Sequence, residues 1–353
     1  MRRSARPVVV AAGTARGAGG ALALRAVCVD LASRDAKSVV QIPRRLDAMT
    51  LPRGIHYIRL RRFSAVLREL IGPARRASTY VGMSDRLPLV RRSSREVLVA
   101  QNPHLYGKRL SGVSRPQQAR LTLLATWARY SARRADLIIV ATEAAKADVT
   151  GATGIAGDSV VVRPIPVLNI GDTKREHRGQ LERIALVGDI YGYKRFAWAI
   201  DEIAQWALES GRPVCVDHAG GIGEQTASRS FQEAVKRHQH VKVVMLGRLP
   251  HSETIALLRS ADVFVFPSSR ESFGLPLAEA LALGVPVVCS NIEPFLEVGG
   301  PAPSYFDGSR GSLAGSLDMV SPSHVRQDMA ARGLKRQQPS NGWNVVDGAE
   351  YGK

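Results

Sequence analysis

Two glutamates eight positions apart, Glu271 and Glu279, flank a stretch able to begin a helix, Ser272–Pro276. Proline suits the first helical turn. The amides of Phe273, Gly274 and Leu275 have no acceptor within such a helix, and together with the positive end of its dipole they make an anion site. Gly274 lets a ligand approach the backbone closely. Glu279 falls one turn in, so its carboxylate returns to the edge of the same site. Carboxylates accept two hydrogen bonds side by side, which suits the vicinal hydroxyls of a ribose or hexose. Donors in the middle and acceptors on either side match a phosphate flanked by sugars.

Positioning such groups requires a rigid frame, and the hydrophobic pattern predicts one. Pro7–Ala12 reads as a buried strand, followed by a turn rich in glycine (Gly13, Gly17, Gly19, Gly20) and a helix over Ala21–Ser33. Strand, glycine turn and helix in that order open nucleotide-binding α/β units. Further strands are predicted at Val39–Ile42, Ile55–Leu60, Val97–Ala100 and Leu137–Val140, with a helix over Gln117–Arg134. The pattern breaks at Pro164 and Pro166 and in the polar run Gly171–Gly179. A second alternation starts with a strand at Ile184–Val187 and a helix at Phe196–Glu209. It continues through strands at Val214–Val216, Val241–Leu246, Val263–Phe266 and Val285–Cys289, and helices at Thr254–Arg259 and Pro276–Leu283. Alternation of this kind predicts parallel sheets covered on both faces.

Hydrophobic residues are 45% of the 353 and charged residues 23%, a globular balance with room for two domains. Cys28, Cys215 and Cys289 are odd in number and widely spaced. That argues against a disulfide framework or a cysteine-held metal, and for a reducing, cytoplasmic setting. Arg16 and Arg25 interrupt the apolar stretch near the N-terminus, so no run approaches a membrane span, and no signal-peptide layout is legible. The net charge is +18. Residues 1–173 hold 29 Lys and Arg against 11 Asp and Glu, while residues 174–353 hold 20 of each. Such a field attracts polyanions, anionic membranes or phosphorylated substrates. No zinc spacing or aromatic RNA-binding signature accompanies it, so nucleic acid is not expected as the partner.

The run PSSRESFGLPLAEALALGVPVV, inside Asp262–Ser290, resembles the E-x7-E signature of retaining glycosyltransferases of family GT4, which have the GT-B fold. The resemblance implies that Glu271 contacts the donor sugar and Glu279 the ribose of the nucleotide, and the helix-start amides of Phe273, Gly274 and Leu275 are then the expected contacts of the donor phosphates. LVGDIYGYKRFAWAI, residues 186–200, resembles the first strand and loop of that family's C-terminal domain, which implies Lys194 on the donor diphosphate. The family's Arg after the glycine is Asp189 here, which leaves Arg195 as the expected substitute. Gly19 and Gly20 resemble the glycine pair of the family's first loop. QNPHLYG, Gln101–Gly107, resembles a loop facing the cleft and implies that His104 hydrogen-bonds the donor sugar. The likeness is good over roughly 95–310 and poor before. It fails over Gly333–Lys353, where the family closes with a long helix, and Trp343 reads as a relic of that region in a shortened chain.

The expectation is an α/β protein of GT-B type, two Rossmann-like domains facing across a cleft. The N-terminal acceptor domain is placed at 1–168, a linker at 169–180, the nucleotide-sugar domain at 181–325, and an atypical, disordered tail at 326–353. The expected activity is retaining hexosyl transfer from an NDP-sugar to a glycan or a lipid-linked acceptor, as in cell-envelope polysaccharide synthesis. Lys194, Glu271 and His104 are the expected catalytic groups. The NDP-sugar is a co-substrate, and no cofactor is expected. No Asp-x-Asp motif is present, so no metal is expected either. A nucleotide-sugar epimerase on the same fold stays open, as does a non-catalytic binder of sugar nucleotides or polyanions. Finally, RLRRFSAVLRELIGPARR, residues 59–76, places Leu60, Phe63, Leu67, Leu70 and Ile71 on one face of a helix flanked by arginines. Arg59, Arg61, Arg62 and Phe63 are the expected membrane or acceptor surface, which would place the protein at the inner face of the plasma membrane. An apolar face that simply covers the first sheet is the competing reading.

Overall fold

The computed structural model describes residues 7–13, 17–34, 37–44, 51–72, 77–107, 115–167, 179–336 and 343. The chain divides into two units, Met1–Pro166 with Pro339–Lys353, and Val167–Gln338.

The first unit runs β1 (Val8–Ala11), α1 (Gly17–Ser33), β2 (Ser38–Pro43), β3 (His56–Leu60), α2 (Arg62–Ile71), β4 (Ala77–Gly82), β5 (Ser93–Val99), α3 (Pro103–Tyr106), α4 (Arg115–Arg134), β6 (Leu137–Val140), α5 (Glu143–Thr153) and β7 (Val160–Val162). Its strands form one parallel sheet in the order β3-β2-β1-β4-β5-β6-β7. The runs Val8–Ala11 and Leu137–Val140 are buried along their whole length, as strands covered on both faces must be. One side of the core joins Val9, Tyr80, Leu98, Ile138 and Val160 to Ala128, Ala132 and Val149 of the covering helices.

The second unit runs β8 (Arg183–Val187), α6 (Phe196–Ser210), β9 (Cys215–Ala219), α7 (Gln225–Arg237), β10 (Lys242–Gly247), α8 (His251–Ser260), β11 (Val263–Phe266), α9 (Leu275–Ala282), β12 (Val287–Ser290), α10 (Glu293–Gly299), β13 (Ser304–Phe306), α11 (Ser312–Val320) and α12 (Ser323–Lys335). Its parallel sheet has the order β10-β9-β8-β11-β12-β13. The chain leaves β8 toward one edge and later returns to β11 on its other side. The carboxyl ends of β8 and β11 therefore mark the switch point, where open α/β sheets leave a crevice for ligands. In the first unit β1 and β4 stand in the same relation.

Several boundaries differ from the sequence expectation. α1 begins at Gly17, so Gly19 and Gly20 lie in a helical turn rather than in a loop. Arg59 and Leu60 belong to β3 and not to the amphipathic helix. β4 was not expected, because ASTYVG is short and half polar, yet it lies mid-sheet with five of its six residues buried. The expected tail is corrected over 326–336 and at Trp343. Ser323–Lys335 is a helix, and Arg326, buried completely, donates from Nη1 to the Val320 carbonyl (3.2 Å) and from Nη2 to that of Gly179 (2.6 Å). Trp343 is 1% exposed and donates from Nε1 to the Pro164 carbonyl at 3.0 Å. The inward stripe of Val325, Met329 and Ala330 on this helix is short and is interrupted by the buried Arg326, so periodicity gives it little weight. Residues 337–342 and 344–353, and most of the expected linker, lie outside the described residues.

Candidate functional site

The loop after β8 is built around glycine. Gly188 sits at φ 134°, open only to glycine. Its amide donates to the Ala219 carbonyl (2.8 Å), and its own carbonyl meets His218 Nε2 at 3.0 Å. Burial lowers the pKa of His218, so the neutral ring donates here from Nε2. From this anchor the chain makes a 3-10 turn, Gly192–Lys194, and Arg195 at φ 54° hands it to α6. Lys194 is thereby set 9% exposed, with its ammonium 4.9 Å from the centre of the Phe266 ring.

The loop after β11 meets it. Ser269 donates to the Tyr193 carbonyl from its amide (2.8 Å) and its hydroxyl (3.1 Å), which ties the two loops together. Lys194 Nζ and Glu271 Oε1 are joined in an ion pair between groups 77 residues apart in the chain. Three residues beyond Glu271, Gly274 at φ 87° forms the N-cap of α9. A Cβ there would stand 2.7 Å from Phe295, so only glycine fits. Among the described residues, the amides of Phe273, Gly274 and Leu275 donate to no protein acceptor. The side chains of Phe273 and Leu275 are in the core, so these residues can offer a ligand only their backbone.

Glu279 is 3% exposed, and its Oε1 lies 2.7 Å from Nε2 of His251, the first residue of α8. That hydrogen bond raises the His251 pKa above its ordinary value, and partial burial opposes the rise. His251 is a group the sequence reading missed, since no spacing rule links it to a carboxylate 28 positions on.

The anion at 189 is answered in the fold. Asp189 accepts from the Gly221 amide (2.7 Å), and Arg248 grips it with Nε on Oδ1 (3.1 Å) and Nη2 on Oδ2 (2.6 Å). A guanidinium fork of this form is a strong charge-assisted contact. Arg248 follows β10, a third strand, so its pairing with Asp189 was invisible in the linear sequence. Arg195, the expected substitute, is engaged elsewhere: Nη2 donates to the Gly308 carbonyl (2.9 Å), and the guanidinium stacks 4.0 Å from the Trp198 ring centre.

The remaining expected residues lie in the first unit. Gly19 and Gly20 open α1, at the carboxyl end of β1. His104 is the second residue of α3, just past β5, and its amide donates to the Asn102 side chain at 3.1 Å. Buried Asp85 orders this loop by accepting from the amides of Gln101 (2.8 Å) and Asn102 (3.1 Å). Desolvation pushes the Asp85 carboxyl up to about 7, and those two amides pull it back. Asp85 adopts φ 60°, a costly conformation for a residue other than glycine. Arg61 and Phe63 are on the surface at the start of α2, while Arg59 donates to the Arg44 carbonyl from β3 (3.1 Å). The side chain of Arg62 lies outside the described residues.

Residues 173–303 match the family model described as Glycosyl transferases group 1. Among curated proteins, O-antigen chain mannosyltransferase B of Escherichia coli is 49% identical over 57 residues, 16% of this chain and 15% of that protein. Glycogen synthase of Mycobacterium tuberculosis is 37% identical over 99 residues, 28% of this chain and 22% of the relative. Phosphatidyl-myo-inositol mannosyltransferase of Mycobacterium leprae is 32% identical over 134 residues, 36% and 34% of the two chains. Each match thus spans about a third or less of the curated relative. The fold is that of GT-B glycosyltransferases. Anabaena HepE, solved with UDP and glucose, superposes with a TM-score of 0.71 over 94% of both chains at 16% identity. Sucrose-phosphate synthase of Thermosynechococcus elongatus does so at 0.66, 94% of both chains and 14% identity.

Proposed function

We propose, from the match of residues 173–303 to the group 1 glycosyl transferases, that the protein transfers a hexose from a nucleoside-diphosphate sugar to a glycan or lipid-linked acceptor, with retention and without a metal, as family GT4 enzymes do. The observation that carries the reading is the junction of two loops at the β8–β11 switch point, where Lys194 and Glu271 meet beside the undonated amides that begin α9. A diphosphate takes its charge stabilisation from Lys194 and from those amides. Glu279, held by His251, takes the ribose hydroxyls, and Glu271 takes the donor sugar. Attack occurs on the face from which the phosphate departs, and the departing phosphate accepts the acceptor's proton. The similarity to an O-antigen chain mannosyltransferase and a phosphatidyl-myo-inositol mannosyltransferase favours an acceptor of the cell envelope, and the similarity to glycogen synthase favours a glucan instead.

The test is a thermal-shift screen of UDP, GDP, ADP and dTDP, followed by donor turnover with and without acceptor. One nucleotide should raise the unfolding midpoint, because binding the native state stabilises it by about 2.7 kcal/mol at a hundredfold excess over Kd. Glu279→Gln should weaken that nucleotide by roughly 1.5–3 kcal/mol, the worth of a charge-assisted hydrogen bond, in a protein that still folds. Product that forms only with acceptor separates transfer from epimerisation. If no nucleotide shifts the midpoint and no donor is consumed, the proposal is wrong.

Arg248 has a defined part in this scheme. It neutralises Asp189 next to the diphosphate loop. Arg248→Ala should therefore weaken the nucleotide by about 1 kcal/mol, the modest worth of a largely exposed pair. Asp189→Asn in the same chain should recover most of the loss, since no bare anion then remains. A double-mutant cycle by calorimetry reads the coupling, and strictly additive losses would remove Arg248 from the site.

A further inference from the structure

A surface helix normally turns its apolar stripe inward, and α2 does the reverse. Phe63 is 81% exposed, and Val66, Leu67 and Ile71 are exposed with it. The side facing the sheet carries Ala65, whose Cβ lies within 2.7 Å of where a Cβ on Gly13 would stand, and Glu69, 2% exposed. Glu69 accepts from Arg86 Nη2 at 2.9 Å and from the Ser84 hydroxyl at 3.3 Å. A buried ion pair therefore holds the helix by its polar side and leaves the apolar side in solvent. The exposed face continues into the next loop: the Leu89 amide donates to the Leu70 carbonyl (3.0 Å), and both Leu89 and Val90 are exposed. An exposed apolar face kept by an inward carboxylate is not needed for folding, and it calls for an occupant.

The charges around it identify one. Arg61 precedes the helix, Arg68 lies on its exposed flank, and Arg92 reaches Gly72 at its end; all three are exposed. Glu69 is the one acidic residue in 61–72, it is turned inward, and residues 88–92 have none. A second copy of the chain would bring arginine against arginine. A nucleic acid would have no use for Phe63 and Leu67. An anionic bilayer accepts both features, with the apolar side chains among the acyl chains and the guanidinium groups at the phosphates. Among the described residues, no helix is long and apolar enough to cross a membrane.

We propose that the outward face of α2, with Leu89 and Val90, docks the first unit on an anionic lipid surface. The docking follows from this geometry alone. Its consequence, an acceptor drawn from the membrane, rests on the transferase reading.

Co-sedimentation of the full chain with phosphatidylcholine vesicles, with and without about one-third phosphatidylserine, tests the proposal. Binding should require the anionic lipid and fall as salt rises from low to physiological ionic strength. Arg61→Ser/Arg68→Ser/Arg92→Ser and Phe63→Ser/Leu67→Ser should each weaken binding about tenfold or more, since each lipid-facing arginine matters. These side chains are exposed, so both variants should keep the parent unfolding midpoint and the parent nucleotide shift. Vesicle binding by a protein that shifts with no nucleotide would support the docking and remove the transferase reading alone. Equal binding to neutral vesicles, no binding to either, binding unchanged in the variants, or a Phe63-dependent dimer by light scattering would each overturn the docking.

Discussion

Lys194→Ala should lower turnover by about 10²–10³-fold, the usual loss when one preorganised group is removed from developing charge, while nucleotide affinity falls far less. The ammonium is 9% exposed, held over Phe266 and paired with Glu271. In so dry a position its field is weakly screened, and it counts most as charge builds on the departing phosphate. Removing it also leaves Glu271 as a bare anion beside that phosphate. Lys194→Arg is expected to recover only a part, since a planar fork does not fit a site shaped for a point charge. Steady-state kinetics beside calorimetry of nucleotide binding separate the two effects. Turnover within a factor of two of the parent would show that another cation does this work.

Gly220→Ala is the substitution expected to harm the second unit most. A Cβ at 220 would stand 1.8 Å from the Gly188 carbonyl oxygen and 2.4 Å from its carbon. Both atoms are backbone, so no rotamer change relieves the overlap. Neither strand end can yield easily. The Gly220 amide donates to the Gly247 carbonyl and the Gly188 amide to that of Ala219, both at 2.8 Å, and His218 holds Gly188 from beneath. The strain should cost about 3 kcal/mol or more. That lowers the midpoint by roughly 6 °C or more for a unit of this size. Whatever folded protein remains should have lost its nucleotide shift, because the loop that moves is the one carrying Lys194. Gly315→Ala is the control: a Cβ there meets nothing within 4 Å in α11, and helix propensity favours alanine. Equal midpoints for the two variants would mean that the β8 loop is soft.

The correspondence between sequence and structure follows the range of the interactions. Strand and helix periods are local. Val263–Phe266 and Leu137–Val140 were legible to the residue, and the other elements that were predicted lay within about four residues of their observed bounds. The anion site at the start of α9 was legible for the same reason, since Gly274, Leu275 and Pro276 are neighbours in the chain and a helix start exposes its own amides. Several elements were not foreseen: β4, which is half polar, the three-residue β7, the helix α7, and α12, which is anchored by a buried arginine.

By itself the sequence determined two α/β units, a charge surplus confined to the first, and a phosphate-seeking helix start between two glutamates. Only the tertiary structure decided the partner of each charge. It paired Glu271 with Lys194, Glu279 with His251, and Asp189 with Arg248 in place of the expected compensation by Arg195. It also decided which way α2 faces. An amphipathic pattern states that two faces differ, but the side turned to the sheet depends on what waits there. Here Arg86 and Ser84 wait for Glu69, and the pairing of that buried carboxylate leaves Phe63 and Leu67 outside.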